Sequence, residues 1–573
     1  MFRGLTRSLS IIPHYKLAMA QQQSIARFFS NANFQNKNPK SGSLTTTIDK
    51  SGAEESPSKR RKIEEENTLG QASKSDDKQS SEPISAKQLD VSVNSKSSIL
   101  QQIKSPESKV ATVSSQKSIV VDGKSSQNAQ EAKNDTKPDQ KPIRYARLAE
   151  LFDKIESESS RLKITAMVSE FFLEILQLST PRSLVEIVYL CINRLGPDYK
   201  PDLELGLGET LLIKAISECY GRSPAKVKAD YKELGDLGMV AQKSRSGQRT
   251  MFPTPPLDAH YVFDCLTKIA KSTGKDSQSK KIGIINKLLT ASDSKSSEAK
   301  FIVRSLEGKL RIGLAEKTVL IALAQAFVSY EKKRATPETI AKAEDIIREA
   351  FSQVPNYEVL INTTYEFGVF NLLEHCQLTP GIPLKPMLAK PTKSVTEVLD
   401  RFQGEEFTSE YKYDGERAQI HLLANGEVRI YSRNSEDMSQ RYPDLVSIIA
   451  DFTKQSNIPS MIMDCEAVAW DREHSKILPF QVLSTRKRKD VNEKDIKVHI
   501  CLFAFDLLYF NNEPLITKSL AERREILFKN VTPIPGKLQL ATYKNSSSLE
   551  ELQQFLDQSV KDSCEGLMVK MLN

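Results

Sequence analysis

The sequence predicts a multidomain chain with a disordered N-terminal tail, an all-α domain and an α+β domain built on antiparallel sheets. Three observations predict it. Residues 31–142 are rich in Ser, Lys, Gln, Asn and Asp and nearly devoid of aromatics, too polar to offset the entropy of ordering them. From about Arg144, apolar residues recur at helical spacing: Ile164, Val168, Phe171, Phe172 and Ile175, then Val319, Leu320, Leu323 and Phe327. After "PGIPLKPMLAKPT", 380–392, the period changes to two, with Ala418, Ile420 and Leu422 alternating with Gln419, His421 and Leu423.

Size and composition agree with several domains. A chain of 573 residues is too long for one hydrophobic core. The formal charge of +8 suits a polyanionic partner without demanding one. Seven cysteines are scattered, with no C-x-x-C pair, which argues for reduced thiols and against a zinc site or a disulfide framework. No run approaches the roughly 18 apolar residues of a membrane span, so no membrane partner is expected.

The first 30 residues carry addresses. No Asp or Glu occurs from Met1 to Ile48, while Arg3, Arg7, Lys16 and Arg27 punctuate apolar and hydroxyl residues. This is the composition of a mitochondrial transit peptide; a disordered basic start is the alternative. Initiation at Met19 would discard that presequence and give one gene product two destinations, mitochondrion and nucleus. Gln22, Ile25, Phe28 and Phe29 form Q-x-x-I-x-x-F-F, which on one helical turn makes an anchor for an apolar groove and resembles the box that binds the sliding clamp PCNA. The aromatics belong otherwise to the transit helix. In "SPSKRRKIEEE", Lys59 to Lys62 form a basic run, a nuclear import signal or a solvated charge run; beside a clamp-like box, import is favoured.

The all-α domain is expected over 143–379. Its most informative stretch is "FIVRSLEGKLRIGLAEKTVL", 301–320, where Arg304, Ser305, Lys309 and Arg311 surround Gly308 before a new helix begins. Positive charge and backbone N–H groups at a helix start suit a phosphate backbone; a plain helix connection remains the alternative.

The α+β domain is expected over 380–573. Asn425-Gly426 between alternating runs predicts a type I′ hairpin, so Lys412 in "EYKYDGERAQIH" lies on β scaffolding. K-x-D-G alone is weak, expected in roughly one chain in ten of this length. Further signals follow in order. "SRNSED" carries Arg433 and Glu436. "MIMDCEAVAW" carries Asp464 and Glu466 in an apolar strand, where a cation or ligand is the natural compensation. "VHICLFAFDLLYF" contains Phe505, and "CEGLMVKML" sets Glu565 before a strand and Lys570 inside it.

KYDG, SRN, DCEAVAW, AFDLLY and CEGLMVK resemble motifs I, Ia, III, IIIa and IV of the ATP-dependent DNA ligases, within the nucleotidyltransferase superfamily that includes mRNA capping enzymes. The resemblance covers 143–573 and is strongest to the eukaryotic DNA ligase I branch, given the helical domain, GKLRIGLAE, the clamp box and the basic tail. It implies a DNA-binding helical domain and an adenylation domain that together seal nicks between a 3′-hydroxyl and a 5′-phosphate in double-stranded DNA, in replication, repair and recombination, as a monomer using ATP and Mg2+. Lys412 would attack the α-phosphate of ATP. A lysine with pKa ~10.4 is neutral about one part in a thousand near neutral pH, a handicap of roughly 4 kcal/mol, so burial or neighbouring cations must free its amine. By the same resemblance Glu466 and Glu565 hold metal, and Glu410 and Phe505 address adenine. Arg417 binds ribose or phosphate, Arg433 and Lys570 bind phosphates, and Asp414 is structural or metal-linked. Phe480 presses on the minor groove, and Lys487, Arg488 and Lys489 contact the DNA backbone. The family continues past its CEGLMVK strand with motif V and an OB-fold domain. Because the sequence stops at Asn573, the adenylation domain is expected to be truncated, the OB-fold absent, one pocket wall missing and the last strand's edge uncovered. Two other readings stay open: a capping guanylyltransferase, which leaves the helical domain unexplained, and a clamp-tethered nick binder without catalysis.

Overall fold

The computed structural model describes residues 8–11, 141–247, 255–332, 335–402, 405–487 and 491–573. The clamp-like box (Gln22, Ile25, Phe28, Phe29), Met19, the basic run 59–62 and Arg488 and Lys489 lie outside the described residues.

From Tyr145 to His375 the described chain is helical. Arg161–Leu178 buries Ile164, Val168, Phe171, Phe172 and Ile175, the residues whose spacing predicts one apolar face, and Tyr145–Glu156 buries Leu148, Ala149, Leu151, Phe152 and Ile155. Local chemistry sets the starts. Thr180 and Ser223 each cap a helix that opens on proline, and Asp236 accepts from the backbone N–H groups of Gly238 and Met239. One hydrophobic core runs through these helices, from Tyr145 to Cys376.

The C-terminal part is α+β. We number its strands β1 (Ser8–Ile11), β2 (Lys390–Thr392), β3 (Phe407–Lys412), β4 (Glu416–Leu422), β5 (Val428–Tyr431), β6 (Met461–Asp471), β7 (Lys476–Ile477), β8 (Ile500–Phe510), β9 (Glu513–Pro514), β10 (Leu538–Leu540), β11 (Tyr543–Lys544) and β12 (Gly566–Met571). One sheet has the order β11-β3-β12-β1-β2; the other has β10-β8-β6-β4-β5, with β7 beside β6 and β9 beside β8. Pairing is antiparallel except for β1 with β2 and β10 with β8.

Three local expectations are corrected. Gly426 alone in the hairpin takes positive φ (80°), its N–H bonding Leu423 O while Leu423 N bonds Glu427 O; this is a turn closed by a glycine bulge, one residue longer than a type I′ loop. β4 is buried on both faces, because the 380–385 segment crosses its polar side: Gly381 N–H donates to His421 Nδ1 (2.9 Å) and Leu384 N–H to Gln419 Oε1 (2.8 Å). Finally, β12 has neighbours on both sides, since Ser8–Ile11 pairs with it in the register Ser8↔Lys570 to Ile11↔Leu567.

Candidate active site

Two sheets carry the chemistry. Side chains alternate along a strand, so Thr408, Glu410 and Lys412 share one face of β3. Across from them β12 places Lys570 opposite Thr408, Met568 opposite Glu410 and Gly566 opposite Lys412. Lys412 ends its strand, and the tight path Tyr413–Gly415 turns the chain into β4. Gly415 is required there: a Cβ would lie 2.5 Å from the Ala467 carbonyl oxygen and 3.0 Å from Glu466 Cγ. The glycine of K-x-D-G therefore brings the lysine's turn against the strand that carries Glu466.

At this end Lys412 Nζ is ion-paired with the Glu565 carboxylate, and the Glu565 N–H is tied to Lys412 O at 2.8 Å. β4 and β6 set Arg417 opposite Glu466 and Gln419 opposite Asp464. Arg417 Nη2 donates to Asp464 at 2.5 Å and Gln419 Nε2 at 3.3 Å, so Asp464 is compensated by protein groups. Glu466 is not: burial pushes its carboxyl up to about 8, against the opposing pull of Arg417 and Lys412. Arg417 Nη1 is buried without a hydrogen-bond partner. A cationic donor and an acid in want of countercharge thus flank Lys412.

The other end of β3 holds a different group of residues. Lys570 Nζ donates to Glu410 Oε2 (2.5 Å) and lies 4.5 Å from the centre of the Phe505 ring. Four residues of strand, about 13 Å, separate the register positions of Lys412 and Lys570. The Lys570 ammonium, expected to bind phosphate, stands with Glu410 and Phe505, the pair expected to address the base. Glu410 is nearly fully buried, with Arg524 as its second cation at 3.8 Å.

The expected DNA-facing residues divide. Arg304 and Ser305 are buried. The Arg304 guanidinium donates to Asp236 (2.9 Å), Glu156 (2.9 Å) and the Leu310 carbonyl (3.1 Å), which uses its donors internally and corrects the direct phosphate contact. It holds the 308–313 loop from beneath. On that loop Lys309 and Arg311 are exposed; Arg311, at φ 57°, is steadied by Gly235 O and Glu307. Phe480 is exposed at the start of a short helix, Phe480–Ser484, and Lys487 is exposed, whereas the neighbouring Arg486 is buried on Asp444. Arg433 is exposed in the loop after β5. Sequence reasoning missed the buried arginines Arg523 and Arg524, which sit on Asp506 and on Thr408 with Glu410. Their signal was two adjacent arginines at the start of a helix, where cations are disfavoured.

Residues 144–324 match the family described as DNA ligase N terminus, and residues 386–573 match the ATP dependent DNA ligase domain. The chain is 56% identical over 438 residues to DNA ligase 1 of Saccharomyces cerevisiae, covering 75% of this chain and 57% of that protein. It is 48% identical to DNA ligase 1 of Schizosaccharomyces pombe, covering 75% and 56%. With DNA ligase 2 of Korarchaeum cryptofilum it is 33% identical, covering 75% of this chain and 69% of that protein. The chain spans a little over half the length of the two yeast relatives. On the strength of both family matches and these identities, the chain belongs to the ATP-dependent DNA ligase family.

Proposed function

We propose that this chain carries the DNA-binding and adenylating parts of a ligase that seals 3′-hydroxyl/5′-phosphate nicks in double-stranded DNA, with Lys412 as the nucleophile. The observation that carries this reading is the division of the site into two ends. Lys412 faces carboxylates and an unpartnered Arg417 donor at one end, and Glu410 faces Phe505 at the other. A nucleotide has the same polarity. Phe505 offers its base a ring face, and Glu410 accepts from an exocyclic amine, which adenine has and the O6 edge of guanine lacks. Arg417 and Arg433 supply charge-assisted donors to ribose or phosphate.

The amine of Lys412 attacks the α-phosphorus of ATP: an N–P bond forms, the bond from that phosphorus to the bridging oxygen breaks, and pyrophosphate leaves with the electron pair. The ammonium must first give up a proton, and the paired Glu565 carboxylate is placed to accept it. The 5′-phosphate at a nick then takes AMP from Lys412, and the 3′-hydroxyl displaces AMP to join the strand.

The residues present fit a divalent cation of the Mg2+ type. Such an ion keeps waters and phosphate oxygens and needs only one or two carboxylates, and among the described residues no group of three or more His, Cys, Asp or Glu forms a protein cage. Glu466 and Glu565 would hold it, Glu466 by virtue of its uncompensated burial. Bound there, the ion supplies positive field to the phosphates and to the amine.

Further parts of the reading rest on sequence: a role in replication, repair and recombination, action as a monomer, tethering to PCNA by residues 22–29, and residence in nucleus and mitochondrion. The test is incubation of the purified chain with α-labelled ATP and magnesium. Label is expected on Lys412, from ATP and not GTP, and absent in Lys412→Ala, which keeps its affinity for nicked duplex. Undiminished label in that variant overturns the assignment.

A further inference from the structure

We propose that Arg523 and Arg524 are positioning residues that hold Phe505 and Glu410, on two different sheets, in register at the base-reading end of the site, and so set its preference for adenine over guanine. The inference rests on the nucleotide assignment above and goes beyond it, since neither arginine belongs to the motifs that carry the family resemblance.

Both residues sit in the opening turns of the helix Leu520–Asn530, whose start is fixed by a capping box between Ser519 and Glu522. Successive helix residues point about 100° apart, and here that divergence sends the two guanidinium groups to different sheets. Arg523 makes a bidentate pair with Asp506 of β8 (2.8 and 2.9 Å) and donates to Lys518 O. Asp506 directly follows Phe505, so this pair holds the strand at the aromatic residue. Arg524 crosses to the other sheet, where it donates to Thr408 Oγ1 of β3 (2.9 Å), lies 3.8 Å from Glu410 and covers the ring of Tyr543 of β11 at 3.8 Å. The helix is anchored to that sheet again where Ala521 N–H donates to Leu572 O, just beyond β12.

Both arginines are buried. Two cations near a helix N-terminus oppose its dipole, and burying them requires good partners; stability alone would be met by apolar residues. What the pair provides is a planar, fixed link from Phe505 through one helix to Glu410. A carboxylate held by Arg524 on one side and Lys570 on the other cannot rotate away from the base edge, and a ring whose following residue is clamped cannot slide along it.

The test is titration of the full chain, and of Arg524→Met, Arg523→Met and Thr408→Val, with ATP, GTP and inorganic pyrophosphate by calorimetry, beside thermal melts. Loss of one charge-assisted anchor predicts that ATP affinity and the ATP-over-GTP ratio each fall about tenfold in the arginine variants, with pyrophosphate affinity retained because the Lys412 end is untouched. Arg524→Lys, which keeps the charge without the fork, should recover only part of the ratio. If Arg524→Met does not fold, Thr408→Val makes the same test, as it removes only the hydroxyl anchor and keeps the side chain's shape. An unchanged ATP-to-GTP ratio overturns the inference, as does an equal loss for all three ligands. An unsubstituted chain that takes up no ATP overturns the nucleotide assignment as well.

Discussion

At the scale of single residues, Glu466 is the group whose charge the fold and the proposed ligand contest. Burial raises its pKa to about 8 from a model-peptide value near 4.5, so the folded state binds a proton that the unfolded state releases over that interval. Stability should therefore fall as pH rises between those values and stay low above them. Glu466→Gln removes this loss. In melts without divalent cations the variant should match the original near pH 4 and exceed it at pH 9, by on the order of 1 kcal/mol or more. Added magnesium should reverse the order, because only the carboxylate gains from the ion. His421 has the opposite sign: burial holds it neutral, with a pKa down at about 3, so its contribution is complete above the unfolded value near 6.5 and lost as pH falls below it. Between pH 6.5 and 5 the Glu466 and His421 slopes oppose each other in the original chain, so the check is a difference: relative to His421→Asn, the original chain should lose about 1.4 kcal/mol for each unit the pH falls.

At the scale of elements, the turn from β3 into β4 decides whether Lys412 meets the carboxylates. Gly415→Ala puts a methyl group against the backbone of Ala467 at 2.5 Å, and a backbone oxygen cannot swing aside as a side chain would. The turn must lift from β6, at about 1–3 kcal/mol, and Lys412 lifts with it. Labelling from ATP should drop at least a hundredfold while nicked-DNA binding and the helical part's circular dichroism stay unchanged; normal labelling would show that the close approach is dispensable. The glycine was visible in the sequence, but its reason was not, since β6 lies about fifty residues further on. The same holds for Lys570. Its place in a strand was legible from the apolar pattern, yet which residues it meets depended on β12 pairing antiparallel with β3, which fixes it opposite Thr408 and beside Glu410. Pairing also covers the edge of β12. Amides of Gly566–Met571 that face Ser8–Ile11 should be protected from hydrogen exchange in the full chain and exchange quickly in a chain begun at Met19.

At the scale of the whole molecule, the helical and α+β parts were legible because the period of the apolar residues switches from helical to alternating near residue 380. What that period did not reveal was which basic residues are free to meet DNA. Arg304 and Lys309 are five residues apart in one basic stretch, but Arg304 is on the inner face of Glu298–Glu307 against Asp236 and Glu156, and Lys309 follows the glycine that ends that helix. Their substitutions should therefore differ in kind. Arg304→Ala leaves the buried Asp236 without its cation, while the exposed Glu156 keeps Lys300, and should destabilise the helical part by about 3 kcal/mol, with nick affinity lost only as the fold melts. Lys309→Ala should leave the melt unchanged and weaken binding to every duplex alike, lowering the slope of log affinity against log salt by about 0.9 for one phosphate contact. Lys487→Ala, in the α+β part, should likewise weaken binding to every duplex and lower the slope by about 0.9. If both parts lie on one duplex, the double variant lowers the slope by about 1.8, the sum of the two. A double variant no worse than either single one would mean that only one of the two parts touches DNA at a time.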